Sequence, residues 1–374
     1  MRAGPLSFYE FFAGGGMART GLGPAWSCLF ANDFDSAKGA AYAANFGDEA
    51  LRVDDVWRLE PSDLPGRAGL AWASFPCQDL SLAGARGGLK GQRSGSFFGF
   101  WRLIEALAAQ GRAPRTLAIE NVTGLLTSHG GADVSALCVA LARAGYRFGA
   151  LEIDAARFLP QSRPRLFVIA ALDPDPTLCS EAPGRFHSPA VQAAAAALPP
   201  EAARRWLWWR LPEPALRNQG LADLLEPDAA WFDEPRTRRL VELMAAPHLR
   251  RLQAAKASGR VELGTAFRRT RIEQGRRVQR AELRFDGVAG CLRTPAGGSS
   301  RQLVVRVEGP KVQARLLTPR EAARLMGLPD DYRLPPSAAA GLHVCGDGVA
   351  APVVRYLAEH LLEPLLGGAR RAAA

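Results

Sequence analysis

The sequence predicts an α/β fold with a doubly wound, mostly parallel sheet, and a smaller domain inserted before the C-terminal helix. Over the first 172 residues, short apolar runs alternate with longer helical patterns, which is typical of parallel strands joined by helices. This alternation ends after Leu172, and the following region is rich in proline, alanine and arginine. A chain of 374 residues is long enough for two domains. We expect one domain at 1–178 and 338–374, and a second at 179–337.

Short apolar runs mark the strands of the predicted sheet, which are 7–12, 27–32, 70–75, 116–121, 148–153 and 165–170. Three longer patterns have helical spacing and predict helices at 35–47, 98–111 and 133–145. The last two end at glycine, a frequent stop signal for helices.

The later part of the chain has clear signals at four places. The stretches 264–271 and 276–285 alternate as basic strands. A helix is expected to begin at Thr318, because Thr318 can cap it, proline takes the first turn and Glu321 completes a capping box. An amphipathic helix is predicted at 351–366.

Positive charge is concentrated in one segment. The net charge is +10, and Arg236 to Arg280 contain thirteen Lys or Arg and three Glu, so the rest of the chain sums to zero. A solvated face is the ordinary explanation of a charged run. A segment that holds the whole surplus is better explained by binding to phosphates.

Neither a membrane span nor a metal site is expected. No run is long and apolar enough to cross a bilayer, and the N-terminus lacks the apolar core of a secretory signal, so we expect a cytoplasmic protein. The six cysteines are widely spaced with no C-x-x-C, which indicates reduced thiols. No cysteine or histidine has zinc spacing, so we expect no bound metal.

A glycine-rich turn follows the first predicted strand in FYEFFAGGGMARTGLG (8–23). Glycines allow a sharp turn and the close approach of a ligand. The spacing is neither G-x-G-x-x-G nor a Walker motif, so a nucleoside without phosphates is favoured. Asp33 at the tip of the second strand can accept both ribose hydroxyls, and Asp54 and Asp55 lie at the tip of a further short strand in RVDDV (52–56). By themselves these residues fit a structural turn nearly as well.

Three further strand ends carry reactive side chains. Cys77 follows the strand at 70–75 and is either a buried thiol or a nucleophile; the glycine-rich segment after it is typical of a lid. Glu120 ends another strand, where an apolar pocket would raise its pKa and let it act as an acid. Arg163 and Arg165 alternate, which predicts a shared strand face suited to a carboxylate, a phosphate or a base carbonyl.

In this order, the motifs resemble those of the cytosine-C5 DNA methyltransferase family. They are FAGGG (12–16), PCQ (76–78), ENV (120–122), QSRPR (161–165), RLLTPREAARLMGLPDDY (315–332) and GDGV (346–349). The resemblance leaves out 175–285, where the family carries its variable recognition segment. It implies a Rossmann-like, S-adenosylmethionine-dependent methyltransferase domain at 1–178 and 338–374, and a DNA-binding target-recognition domain at 179–337.

The resemblance also implies S-adenosyl-L-methionine as the cofactor. It assigns the ribose to Asp33, the adenine amine to Asp55 and the two faces of the adenine ring to Phe34 and Pro76. The other implied cofactor residues are Phe12, Ala13, Gly14, Gly16, Val56 and Asp347. Asp347 stands where the family usually has asparagine, so its side chain can accept hydrogen bonds but has no amide to donate.

For the reaction, the resemblance implies attack of Cys77 on C6 of a cytosine, with Glu120 at N3 and N4 and Arg165 at O2, while Arg163 holds the loop or an adjacent phosphate. The implied partner is double-stranded DNA whose target base is flipped out. We expect a monomer, which would not need to bind any cognate restriction endonuclease. Two alternatives stay open: methylation of structured RNA, although the Cys-Phe-Thr motif of relatives acting on transfer RNA is not found, and a DNA-binding relative without catalysis.

Overall fold

The computed structural model describes residues 6–76, 95–294 and 301–367. The chain divides into two compact units. One comprises Met1–Asp154, Pro164–Pro214 and Val353–Ala374, and the other comprises Ala155–Arg163 and Ala215–Pro352. Among the described helices, none is long and apolar enough to cross a membrane.

The first unit is built on a seven-stranded sheet in the order β3-β2-β1-β4-β5-β7-β6. Its strands are β1 (Ser7–Phe11), β2 (Ser27–Asp33), β3 (Leu51–Val53), β4 (Leu70–Ala73), β5 (Thr116–Val122), β6 (Arg147–Asp154) and β7 (Pro164–Ala171). β1 to β5 are parallel, and β7 runs antiparallel to both β5 and β6. The predicted doubly wound, mostly parallel sheet is therefore confirmed.

Helices cover this sheet because each has one apolar stripe to bury. They are α1 (Met17–Leu22), α2 (Ser36–Phe46), α3 (Ser96–Ala109), α4 (Ala132–Arg143), α5 (Pro189–Ala196) and α6 (Pro200–Ala203), with a short hairpin of β8 (Cys179–Ser180) and β9 (Trp208–Trp209). Phe97, Phe100 and Ile104 of α3 are buried in one core with Phe11 and Ile119 from the sheet. This shared core holds α3 against the sheet whose strand ends carry the predicted site residues.

The C-terminal helical segment also belongs to the first unit from Val353 onward. It runs through α11 (Ala351–Leu357), a single π turn at Ala358–Leu362 and α12 (Glu363–Leu365). Trp26 Nε1 donates to Glu363 at 3.2 Å, and the guanidinium of Arg355 donates to Leu22 O at 2.5 Å. These bonds fasten the end of the chain to α1 and the residues that follow it.

The second unit has a four-stranded antiparallel sheet in the order β11-β10-β12-β13. Its strands are β10 (Val261–Glu273), β11 (Arg276–Arg284), β12 (Gln302–Glu308) and β13 (Lys311–Leu316), and its helices are α7 (Glu234–Glu242), α8 (Ala246–Ala257), α9 (Pro319–Leu325) and α10 (Ala338–Asp347). Leu240 and Leu252 of the helices pack on Ala281, Leu303 and Val305 of the sheet. Both predicted basic strands are present, as β10 and β11.

The compact units divide at other points than the predicted domains. The sequence placed the first division at 178, whereas residues up to Pro214 group with the first unit, because Val191, Leu198 and Ala202 are buried in its core. Residues 338–352, predicted to belong with the first domain, group with the second unit. A change of composition after Leu172 marked the end of regular alternation, which is not the same as the end of a packed core.

The capping box predicted at Thr318 is confirmed and belongs to a larger buried network. Glu321 N donates to Thr318 Oγ1 at 3.1 Å, and Thr318 N donates to Glu321 Oε2 at 2.9 Å. Arg315 donates to both oxygens of the same carboxylate, at 2.8 and 2.5 Å. The side chains of Arg315 and Glu321 are 2% and 0% exposed, so each charge relies on the other.

We therefore predict that Arg315→Met lowers the free energy of unfolding by about 3–5 kcal/mol, since it leaves a buried carboxylate without its counter-charge. The matched control is Arg306→Met on the neighbouring strand, whose ion pair with Glu308 is partly exposed and should be worth less than about 1 kcal/mol. Urea unfolding measures both. Equal losses in the two variants would contradict the proposed role of the Arg315–Glu321 pair.

Candidate functional site

The strand order of the first unit reverses between β1 and β4. From β1 the chain continues to β2 and β3 on one side, whereas β4 and β5 lie on the other. In doubly wound sheets, ligands bind above the carboxyl ends of the strands at such a reversal. Four of the sequence-predicted motifs follow these carboxyl ends: the glycine turn, Asp33, Pro76 and Glu120.

The glycine turn after β1 adopts the left-handed backbone that its sequence allows. Phe12, Gly14 and Gly16 have φ angles of 58°, 57° and 78°. A β-carbon at Gly14 would meet nothing within 4 Å, whereas one at Gly16 would lie 2.4 Å from the ring of Phe46. Gly16 is therefore required for packing, while the main chain at Gly14 is open to a ligand.

Asp33 connects the tip of β2 to this turn. Its carboxylate accepts from Gly14 N at 2.8 Å and from Asp35 N at 2.9 Å. Burial raises the pKa of Asp33, and the two main-chain donors oppose that rise. Each oxygen retains a further lone pair for a ligand hydroxyl. The neighbouring Phe34 is 70% exposed, an unusual state for a large aromatic side chain.

Asn32 is a second polar side chain that holds main chain, in this case at the tip of β3. Asn32 donates to Arg52 O at 3.0 Å and to Asp54 O at 2.8 Å, so its amide holds the main chain that leads to Asp55. Asp55 is exposed and accepts from Trp57 N at 3.0 Å, and Val56 between them is buried. The sequence did not single out Asn32, although an asparagine inside an apolar strand is a signal for such a role.

The segment after β4 is held by Asn121. Its amide donates to Phe75 O at 3.0 Å, and its oxygen accepts from Val122 N at 2.9 Å. Phe75 packs edge-on against Phe12 of the glycine turn, with ring centroids 6.2 Å apart. Pro76 follows as an exposed residue, and Cys77 lies outside the described residues, as do residues 78–94 of the glycine-rich segment.

Glu120 and Arg165 meet because β7 is antiparallel to β5. The register pairs Val122 with Arg165, which brings the start of β7 to the carboxyl end of β5. Arg165 Nε lies 3.2 Å from Glu120 Oε1, and both side chains are mostly buried. Instead of the purely apolar pocket expected from the sequence, Glu120 therefore has a cation beside it.

Arg163 and Asp347 belong to the second unit. Arg163 is 2% exposed and donates to Leu292 O, Gly346 O and Gly348 O at 2.6–2.8 Å. Arg163 lies in the approach to β7, which begins at Pro164. Asp347 is exposed and accepts a hydrogen bond from the hydroxyl of Thr294.

Glu10 is a buried carboxyl that the sequence analysis missed. It is 1% exposed in the middle of β1, where Oε1 accepts from Arg19 N at 3.3 Å. Burial raises the pKa of Glu10 to about 8, although the backbone N–H and the charge of Arg19 oppose the rise. Arg19 also donates to Tyr42 OH at 2.9 Å. A glutamate between apolar strand residues is the sequence signal that could have identified it.

The arrangement suits a nucleoside better than a phosphate or a metal ion. An open main chain at Gly14, an exposed aromatic ring at Phe34 and the carboxylates of Asp33 and Asp55 can contact a base and a ribose, whereas two carboxylates would repel a phosphate. In the described ranges, no group of three His, Cys, Asp or Glu side chains is placed to hold a metal ion.

Known proteins resemble this chain in sequence and in fold. The sequence model of a family described as C-5 cytosine-specific DNA methylase matches residues 6–363. The type II methyltransferases M.NlaX of Neisseria lactamica and M.DsaV of Dactylococcopsis salina are 27% and 26% identical to the chain; the matches cover 94% and 96% of it, and 95% and 86% of those proteins. The solved methyltransferase EhMeth of Entamoeba histolytica shares the fold, with a TM-score of 0.62 at 14% identity over 97% of this chain and 99% of that one.

The buried carboxyl of Glu10 predicts a pH dependence of stability. Between the ordinary glutamate pKa of 4.5 and about pH 8, the unfolded chain releases this proton while the folded chain keeps it. The free energy of unfolding should therefore fall as the pH rises through this window, by at most about 1.4 kcal/mol per pH unit from this group. Glu10→Gln should remove that component, as measured by urea unfolding at several pH values.

The exposed Glu49 provides the matched control, since Glu49→Gln should keep the wild-type pH dependence. An identical pH dependence in the wild type and in Glu10→Gln would show that Glu10 is not protonated in the folded protein.

Proposed function

The chain belongs to the C-5 cytosine-specific DNA methylase family, and on that premise we propose that it transfers a methyl group from S-adenosylmethionine to C5 of a cytosine flipped out of a specific duplex DNA sequence. The observation that carries the proposal is the ion pair of Glu120 and Arg165 at the carboxyl end of β5, beside the amide of Asn121 that holds the main chain just before Pro76 and Cys77. Family membership supplies the reaction, and this arrangement supplies residues to perform it.

The residues at the glycine turn and strand tips fit the proposed cofactor. We assign the ribose to Asp33, the adenine amine to Asp55, and the two faces of the adenine ring to Phe34 and Pro76. Ala13, Gly14, Gly16, Phe12 and Val56 line the turn and the tips, and Asp347 is a further proposed contact. When bound, S-adenosylmethionine supplies a methyl group on a sulfonium, which a nucleophilic carbon can accept.

Cys77 is the proposed nucleophile. Its thiolate adds to C6 of the cytosine, and the electron pair of the C5–C6 double bond moves to C5, which thereby becomes nucleophilic. After C5 has accepted the methyl group, loss of the C5 proton restores the double bond and releases the thiolate. Three of the described cysteines are poor substitutes, since burial raises the pKa of Cys28 to about 11 and those of Cys138 and Cys345 to about 12.

Glu120 and Arg165 are proposed to bind the base itself. Glu120 would hold the ring through N3 and the exocyclic N4 amine and would supply the proton that stabilises the ring while Cys77 is attached. Arg165 would donate to O2. The ion pair holds the two side chains at one place before the base arrives, which lowers the entropic cost of ordering them. Arg163, with its donors on three carbonyls, would act by positioning the main chain.

Double-stranded DNA is the proposed substrate. A cytosine inside a duplex must leave the stack before a thiolate can reach C6. We propose that the segment 80–96 closes over the flipped base, with Lys90 and Arg93 available for phosphates, and that part of Arg236 to Arg280 contacts the DNA. The protein is proposed to act as a cytoplasmic monomer.

The covalent step predicts a trapped adduct. First, bisulfite sequencing of plasmid from a host that expresses the chain identifies the methylated site. A duplex with 5-fluorocytosine at that site should then form a stable adduct, because C5 has no proton to lose and the thiolate cannot be released. Denaturing electrophoresis detects it. Cys77→Ser should form none, whereas Cys179→Ser, at a half-buried cysteine of the described residues, should react like the wild type.

An adduct that persists in Cys77→Ser would refute Cys77 as the nucleophile. Structured RNA carrying 5-fluorocytosine provides the second arm of the experiment. Reaction with RNA but not with duplex DNA would identify RNA as the substrate, and absence of methylation from every nucleic acid would favour a DNA-binding protein without catalysis.

Asn121 predicts a positioning effect. Asn121→Ala loses the bond to Phe75 O that fixes the main chain before Cys77, so the rate of adduct formation should fall by about 10-fold or more while S-adenosylmethionine affinity stays nearly unchanged. The control is Asn45→Ala, whose amide donates to Ala41 O within α2 at 2.8 Å. Rapid-quench kinetics and cofactor titration measure the two quantities. Unchanged kinetics in Asn121→Ala would contradict this role.

A further inference from the structure

The second unit extends a two-stranded ribbon beyond its sheet. β12 pairs with β10 only from Val261 to Phe267, whereas β10 and β11 remain paired up to Glu273 and Arg276. Gln274 and Gly275 close the hairpin with φ angles of 48° and 76°, as a two-residue turn with a positive φ at both positions requires. Six residue pairs therefore project over about 20 Å.

The ribbon has two chemically different faces, because side chains alternate along each strand. One, the paired face, carries Arg269, Arg271, Glu273, Arg276, Val278, Arg280 and Glu282. The other, the open face, carries Arg268 opposite the buried Ala281 and, further out along the ribbon, the four side chains of Thr270, Ile272, Arg277 and Gln279.

Three of the four arginines on the paired face form ion pairs within that face. Arg269 Nε lies 3.2 Å from Glu282 Oε2, and Arg271 Nε donates to Glu282 Oε1 at 2.6 Å. Arg280 Nε donates to Glu273 Oε1 at 2.8 Å. Because these guanidiniums already have acceptors, they are less available than an unpaired guanidinium for contacts to base edges.

The open face offers donors and acceptors that are still available. All four side chains are exposed, and Ile272 is 78% exposed. Thr270 faces Gln279 and Ile272 faces Arg277 across the ribbon. Within the part of the chain that the structure describes, Arg277 has no acidic partner. A guanidinium, an amide, a hydroxyl and an exposed methyl-rich side chain are the groups that contact base edges and the thymine methyl in a major groove.

We propose that the ribbon enters the major groove with its open face toward the bases, and that Arg277 and Gln279 determine which sequence is methylated. This inference rests on the proposed function, since it names the residues that select the DNA. A major groove about 12 Å wide admits a two-stranded ribbon, and in that orientation only one face of the ribbon meets the base edges. Arg276, on the other face of the same strand, is left for the phosphate backbone.

Two adjacent arginines provide a matched test, because both are exposed and lie on opposite faces. Arg277→Ala and Arg276→Ala are expressed in the same host as the wild type, and bisulfite sequencing gives the ratio of methylation at the wild-type site to that at sites with one changed base pair. Arg277→Ala should lower this ratio by about 10-fold or more. Arg276→Ala should keep the ratio and weaken binding to target and unrelated duplexes alike.

Gln279→Ala is the second variant, because it changes no charge. If Gln279 contacts a base edge, Gln279→Ala should also lower the methylation ratio. If the ribbon binds DNA by charge alone, Gln279→Ala should leave the ratio unchanged. Thermal unfolding should show all three variants folded, since the exchanged side chains are exposed.

Equal ratios in the wild type, Arg277→Ala and Gln279→Ala would overturn the proposal, as would relaxed specificity in Arg276→Ala alone. A wild-type chain that methylates no cytosine would instead refute the proposed function, and this inference with it.

Discussion

The candidate site depends on the reversal of strand order between β1 and β4. Connections leave these two neighbouring strands in opposite directions, which is the arrangement that leaves a crevice at the carboxyl ends of a doubly wound sheet. The space is therefore available to the glycine turn, Asp33 and the segment that leads to Cys77. β7 adds a residue that a purely parallel sheet could not supply, since its antiparallel course returns the chain to the same edge and places Arg165 beside Glu120.

Polar side chains at this edge hold main chain that has no regular secondary structure. A loop above a sheet must satisfy its peptide groups with side chains or water. Asp33 accepts a hydrogen bond from a main-chain N–H of the glycine turn. Asn32 donates to a carbonyl at the tip of β3, and Asn121 donates to a carbonyl in the segment after β4. Glu10 differs, because Oε2 has no hydrogen-bond partner among the described residues and burial raises the pKa of the carboxyl.

Local signals in the sequence predicted much of the fold and part of the site. Apolar alternation located the strands of the first unit, and the Thr318 capping box is visible in four consecutive residues. Because those strands were located, the predicted site residues Phe12, Asp33 and Glu120 also lie at or next to the carboxyl ends of β1, β2 and β5. The end of the first unit was predicted too early, because the packing of Val191 and Ala202 on a distant core leaves no local mark. The role of Asn121 and the partners of Arg163 depend on contacts far along the chain, which spacing alone does not encode.

The basic segment Arg236 to Arg280 shows that a count of charges in the sequence does not reveal which charges are paired in the fold. Arg236 to Arg280 hold the entire positive surplus of the chain, which favoured contact with phosphates. In the fold, Arg238 lies near Glu234 and Glu242, Arg260 near Glu262, and the paired face of the ribbon joins its arginines to Glu273 and Glu282. Several charges are therefore committed within the protein, and the number of phosphates bound must be smaller than the number of arginines. Glu282 lies just beyond Arg280, the end of this segment, and its ion pairs with Arg269 and Arg271 depend on strand register. Register also decides that Arg277, rather than its neighbour Arg276, lies on the face that carries Gln279.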